Sequence, residues 1–357
     1  MLTTILIIGG VLLALYIGGN LLNHYYRLTD YDRPTGETFE HYHDQASCAD
    51  QAYARSCEIK ARTRNGGSPK ARLAALRAYA DQLSDGLVFE GDVIPVDANG
   101  ISGEWVLSPD ADPQRRLLFI HGGSFIVGSA AGHRKLAAKF SETSNAAVLA
   151  INYRMMPEHS RITGVRDTRA AYQWMLDNGP DGKSSSVATL IAGDSAGGNL
   201  TLSLVGWLKQ QSLPMPQAVV ALSPITDSAL SGPSFAYNGR TDLVLETLAN
   251  TVRRSPAWLQ SWVLWGYWRK WPFSPEISPA FGDLSSLPPT LIHASDTEVL
   301  LSDSIRYVNK AVAAGSPVTL QIWRGQVHDW HLFADDTEAQ RVAFEEIRKW
   351  YAKVFTG

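Results

Sequence analysis

At 357 residues with 45% hydrophobic content, the chain is long enough to bury the core of one large domain. Its net charge of −3 carries no basic bias, which argues against a nucleic-acid partner. Two cysteines leave the redox compartment open, and no Cys/His spacing suggests a zinc or other metal site.

The first element is an uncharged run from Leu2 to Leu22, with apolar clusters at Ile5-Leu6-Ile7-Ile8 and from Val11 to Ile17. About twenty mostly apolar residues suffice to cross a bilayer as a helix. A cleaved signal peptide would show Lys or Arg ahead of the run and a small-x-small cleavage site, and neither is clear. Tyr25, Tyr26 and Arg27 suit a membrane–water boundary. The expectation is an uncleaved, single-pass membrane anchor over 1–28, its orientation left open because neither flank holds a Lys/Arg excess.

Thr29 to Glu40 is polar and turn-rich and reads as a tether. Helices are expected at 46–63 and 70–84, separated by Asn65-Gly66-Gly67-Ser68-Pro69. On one continuous helix Cys48 and Cys57 would stand about 13 Å apart along the axis, too far for a disulfide unless the chain bends. His41, His43 and Asp44 read as exposed linker residues.

Strand-like runs follow at 87–96, 102–108, 116–120, 147–152, 188–193, 217–222, 289–294 and 318–323. Helical patterns lie at 132–144, 162–178, 198–210, 301–314 and 335–354. This alternation predicts a mostly parallel eight-stranded sheet covered on both faces. The short Asp97-Ala98-Asn99-Gly100 link makes the first two strands an antiparallel hairpin at the edge. Residues 228–275 interrupt the pattern and read, with the early helices, as a cap. They hold Trp258, Trp262, Trp265, Trp268 and Trp271, of which the first three share a helical face. These rings are either cap core, or an acyl-binding wall or membrane-interface belt, which their amphipathic character suits.

Three chemical motifs sit at strand ends. His121-Gly122-Gly123-Ser124 follows the strand ending at Ile120, and its bare glycines can turn backbone N–H groups toward a developing oxyanion. Gly193-Asp194-Ser195-Ala196-Gly197-Gly198 joins a strand to a helix, the setting in which a sharp turn lifts one serine hydroxyl clear of a sheet. The Ala196 N–H is the third expected donor. His328 follows the last strand within Gly325-Gln326-Val327-His328-Asp329-Trp330-His331; His331 is a near rival. Such an order of nucleophile and base fits acyl transfer.

These segments resemble the hormone-sensitive-lipase-like branch of the α/β-hydrolase superfamily, the bacterial family IV esterases, over residues 85 to 355. Tyr153-Arg154-Met155-Met156-Pro157-Glu158 and Ile277-Ser278-Pro279 also carry the resemblance, and the former reads as architectural. The usual third glycine of the first motif is Ser124 here. The resemblance assigns the oxyanion amides to Gly122 and Gly123. Family members carry the triad acid in an Asp-Pro-Leu-Arg-Asp-like run about thirty residues before the histidine. Aligning Leu300 with that leucine puts Glu298 at the acid position, thirty before His328, with Asp296 as the alternative.

The reading is a membrane anchor over 1–28, a linker with cap helices over 29–85, and an α/β-hydrolase domain over 86–357 with a cap insertion at about 228–275. The expected activity is hydrolysis of carboxylic esters through an acyl-enzyme, with Ser195 as nucleophile, His328 as base and Glu298 as orienting acid. The resemblance implies short to medium acyl or acetyl esters and no cofactor. An amide or lactone hydrolase with the same triad, and a non-catalytic small-molecule receptor on the same fold, are the alternatives. Whether the chain forms a homodimer is left open.

Overall fold

All eight expected strands assemble into one sheet, and a ninth joins them. A computed structural model describes residues 2–33, 37–39, 50–51, 54–55, 57–58, 61, 67–333, 335 and 337–356. His41, His43, Asp44, Cys48 and most of the helix expected at 46–63 lie outside the described residues; Cys57 is an exposed free thiol. The strands are β1 (Glu37–Phe39), β2 (Asp92–Asp97), β3 (Ser102–Leu107), β4 (Asp112–Ile120), β5 (Ala146–Ile151), β6 (Ala188–Asp194), β7 (Ala218–Leu222), β8 (Thr290–Ser295) and β9 (Val318–Trp323). Their order across the sheet is β1-β9-β8-β7-β6-β4-β5-β3-β2. Among the described residues of this sheet, only the β2–β3 and β3–β5 pairs are antiparallel. β1, in the stretch expected to be a tether, instead pairs in parallel with β9.

The central strands are buried on both faces, so alternate side chains feed two separate cores. Leu118 and Ile120 of β4 join one core, with Val165, Leu200 and Ile305 from the helices α4 (Arg161–Asp177), α5 (Ser195–Gln210) and α8 (Leu301–Ala313). Leu117 and Phe119 point the other way, toward Leu136, Phe140, Phe344 and Ile347. Those residues belong to α3 (Arg134–Ser144) and α9 (Glu338–Thr356). Parallel strands aim their carboxyl ends at one edge, and loops from β4, β6, β8 and β9 meet there.

Two further helices, α6 (Glu246–Arg254) and α7 (Ala257–Trp268), come from the interrupting segment. Near the amino terminus lie α1 (Leu2–Tyr25) and α2 (Pro69–Asp81), the latter capped by Ser68 Oγ accepting from the Ala71 N–H. α1 is long and apolar enough to cross a membrane. Its carboxyl-terminal half packs on α7: the Trp262 indole N–H donates to Leu15 O at 3.1 Å, and Asn23 Nδ2 donates to Ala257 O at 2.9 Å.

Candidate active site

The nucleophile turn begins where β6 ends. Gly193 and Gly197 permit it, since a Cβ on Gly197 would stand 1.8 Å from Ile120 O and one on Gly193 would meet Gly197 at 2.7 Å. Ser195, the first residue of α5, takes a left-handed φ of 50°, a strained conformation for a residue with a Cβ. That bend raises its hydroxyl above the carboxyl edge of the sheet.

His328 reaches the same point from the loop after β9. Its Nε2 lies 2.9 Å from Ser195 Oγ, and its Nδ1 lies 2.6 Å from Glu298 Oε2. Glu298 is wholly buried, and its Oε1 accepts the Ser295 N–H at 2.9 Å. The carboxylate thus demands a proton on Nδ1, which leaves the Nε2 lone pair facing the serine. Burial pulls the imidazole pKa down, but the hydrogen bond and charge of Glu298, with Asp242 and Asp194 behind it, outweigh that and raise it.

The two open alternatives separate cleanly. Asp296 Oδ1 accepts the Gly325 N–H at 2.7 Å and so braces the loop carrying His328 rather than the imidazole. His331 is buried between Trp330 and Phe344 with its Nε2 3.1 Å from His293 Nδ1. Burial holds its pKa well below the ordinary histidine value.

The oxyanion set differs from expectation at one residue. The Gly122 N–H donates to Asp194 Oδ2 at 2.9 Å, so this amide is already engaged. Gly123 and Ser124 follow with left-handed φ angles of 105° and 55°, and both line the space beside Ser195. Ala196, in the first turn of α5, has an amide with no intrahelical acceptor and lines the same region. Sequence reading missed Asp194 because its role is set by a loop 72 residues away. Asp194 stays ionised: burial opposes this, but His133 and a hydrogen bond from Asp329 prevail. Asp329 itself is pushed well up by burial and by the Asp194 charge.

The flanking motifs brace this loop. Tyr153 donates its hydroxyl to His121 O at 3.0 Å, and Arg154 clamps Asp167 with two nitrogens. Arg161 is fully buried, stacked 3.9 Å from the Phe125 ring centroid and 4.4 Å from that of Trp268. It donates to Asn199 Oδ1, Ser228 Oγ and Ile277 O, tying oxyanion loop, nucleophile helix and α7 together. Burial lowers its pKa to about 9, which still leaves it charged near neutrality.

Two cavities flank Ser195. One, of about 190 Å³, is apolar and lined by Phe125, Leu230, Leu248, Leu264 and Trp268. The other, of about 100 Å³, lies on the His328 side against Tyr79, Leu83 and Val244. Among the described residues no group of His, Cys, Asp and Glu could hold a metal ion.

A strained serine at a strand–helix turn, hydrogen-bonded to a carboxylate-held histidine on a mostly parallel sheet, defines a serine hydrolase of α/β architecture. The alpha/beta hydrolase fold family matches residues 117–332, and the chain belongs to that family, on its hormone-sensitive-lipase-like branch. An acetyl-hydrolase of Streptomyces hygroscopicus is 35% identical over 277 residues, 77% of this chain and 87% of that protein. An esterase of Acinetobacter venetianus is 30% identical over 72% of this chain and 82% of its own length. A solved esterase of the bacterial hormone-sensitive lipase family superposes with a TM-score of 0.70 at 27% identity, covering 85% of this chain and 97% of that one.

Proposed function

We propose that the protein hydrolyses carboxylic esters through an acyl-enzyme formed on Ser195. Ser195 Oγ attacks the ester carbonyl while His328 Nε2 takes its proton, and the buried Glu298 carboxylate stabilises the imidazolium. The amides of Gly123, Ser124 and Ala196 receive the charge on the carbonyl oxygen, with Ser124 taking the part expected of Gly122. Collapse of the tetrahedral intermediate breaks the ester C–O bond, and the departing alcohol leaves with the proton from His328. Water then attacks the acyl-serine, giving its proton to His328, and Ser195 regains a proton as the acid departs.

What carries this reading is the unbroken chain of Ser195 Oγ, His328 and Glu298 at 2.9 and 2.6 Å. The leaving alcohol must sit on the His328 side to collect its proton, so we assign the smaller cavity to it and the larger one to the acyl group. That division favours short to medium acyl or acetyl esters, in keeping with the names of the relatives. Residues 228–275, with α2, form the cap that closes both cavities, and α1 anchors the enzyme in a membrane. A fluorophosphonate probe tests the nucleophile: it labels the wild type and fails to label Ser195→Ala, and equal labelling of both removes Ser195 from the role.

A further inference from the structure

α7 touches three environments at once. One side seats on α1, where Gly19 allows such close approach that a Cβ there would lie 2.1 Å from Trp258 O. Polar contacts lock this seat, with Ser261 Oγ donating to Asn23 Oδ1 at 3.0 Å and Tyr16 edge-on to Trp258. A second side, through Leu264, Tyr267 and Trp268, walls the acyl cavity. The third is open: Val263 is 58% exposed and Trp265 52%.

The docked stretch of α1, Leu15 to Leu22, belongs to the uncharged run that would cross a bilayer, and Ile17 and Leu21 within it are exposed. Whatever leaflet receives those residues also receives the helix beside them. α7 is suited to it: Ala257–Trp268 contains no charged side chain, and Arg253, Arg254, Arg269 and Lys270 bracket it. An uncharged aromatic segment between basic flanks is the composition of a helix lying in the headgroup–acyl boundary of an anionic membrane.

We infer that the open face of α7 is immersed in the near leaflet of the bilayer, and that the acyl cavity behind it takes esters dissolved in that leaflet. This rests on the ester-hydrolase reading and adds the source of the substrate. The helix that walls the cavity is then the one that meets lipid, so an acyl chain passes from bilayer to Ser195 around a single element.

The test uses the full chain with both cysteines replaced by serine and one environment-sensitive fluorophore at Val263→Cys. On phosphatidylcholine/phosphatidylglycerol vesicles its emission shifts to the blue and nitroxide-labelled lipids quench it. A label at Val187→Cys, exposed at the opposite end of β6, stays unquenched. In parallel, Val263→Asp/Trp265→Asp keeps p-nitrophenyl acetate hydrolysis and loses on the order of tenfold on a fluorogenic acyl ester carried in vesicles. An unquenched Val263 label overturns the inference, including the case where it responds only to protein concentration, which assigns the face to a second copy. Equal rates of variant and wild type on the vesicle ester overturn it as well. Should the double variant lose both activities through misfolding, the label decides alone. Failure of wild type to hydrolyse p-nitrophenyl acetate sinks the parent reading instead.

Discussion

At Glu298 one carboxylate sets both the tautomer and the proton affinity of His328. The base works only when neutral, so kcat/KM rises with pH through the pKa of His328, which Glu298 holds above the ordinary value. Glu298→Gln removes that charge, so the acidic limb of the pH–rate profile moves to lower pH while the rate falls by roughly 10³ to 10⁴. Asp296→Asn leaves the limb in place, because that side chain bonds Gly325 and not the imidazole. A matched pair of pH–kcat/KM profiles checks both, and an unmoved limb in Glu298→Gln contradicts the assignment. Asp194 acts one step further out. Asp194→Ala frees the Gly122 amide and lets the donor loop drift, which lowers kcat by about 10² with little change in KM, as expected when only the transition state used the interaction. Glu298 was legible through the resemblance, which aligns Leu300 with the family leucine and sets the acid about thirty residues before His328, and its Oε2 lies 2.6 Å from the His328 Nδ1. The donor set was not, because a bare glycine announces that an amide can point anywhere and leaves the choice to a carboxylate in another loop.

The loop after β7 is fastened to α8 by a buried carboxyl. Asp303 Oδ2 accepts the N–H groups of Thr226 and Asp227 at 2.7 and 2.8 Å, and Arg306 lies on the same helix, paired with Asp32 beyond α1. Burial and the neighbouring Asp227 charge raise the Asp303 pKa to about 8. A pKa raised on folding gives stability that is whole below the unfolded value of about 4 and lost as pH rises through the folded value of about 8. Thermal melts therefore fall between about pH 4 and about pH 8, and Asp303→Asn, which keeps an oxygen for both N–H groups, flattens that fall. An unchanged slope in the variant would show that another group dominates. At this scale the sequence read well wherever hydrophobic period spoke: β4 to β9 and their helices stand within a few residues of expectation. β1 was illegible since three residues in a polar stretch gain strand form only from β9, whose partner positions lie far along the chain. Asp303 gave no sign either, because an acid in the first turn of a helix ordinarily faces solvent.

Across the whole molecule, the seating of α1 on α7 couples the amino terminus to the acyl cavity. Nothing in an apolar run of this length says which partner it will meet, so the sequence spoke of an anchor and not of a wall. Gly18 and Gly19 mark the contact, with the Trp262 ring 3.3 Å from a Cβ built on Gly18. Gly9, by contrast, faces open space. Gly19→Leu drives a side chain into the Trp258 backbone, an overpacking that costs about 1–3 kcal/mol and separates the two helices. α7 then loses its backing while Ser195, His328 and Glu298, held by the sheet, keep their geometry. The expected result in detergent is a KM for p-nitrophenyl esters raised several-fold with kcat within about twofold, since α7 supplies binding surface and no reacting atom. Hydrogen exchange should quicken in α7 and not in α5. Gly9→Leu, adding the same side chain to the open stretch, should match wild type in all three measurements. An unaltered KM in Gly19→Leu would mean that α7 holds the cavity without α1, leaving the first helix a tether alone.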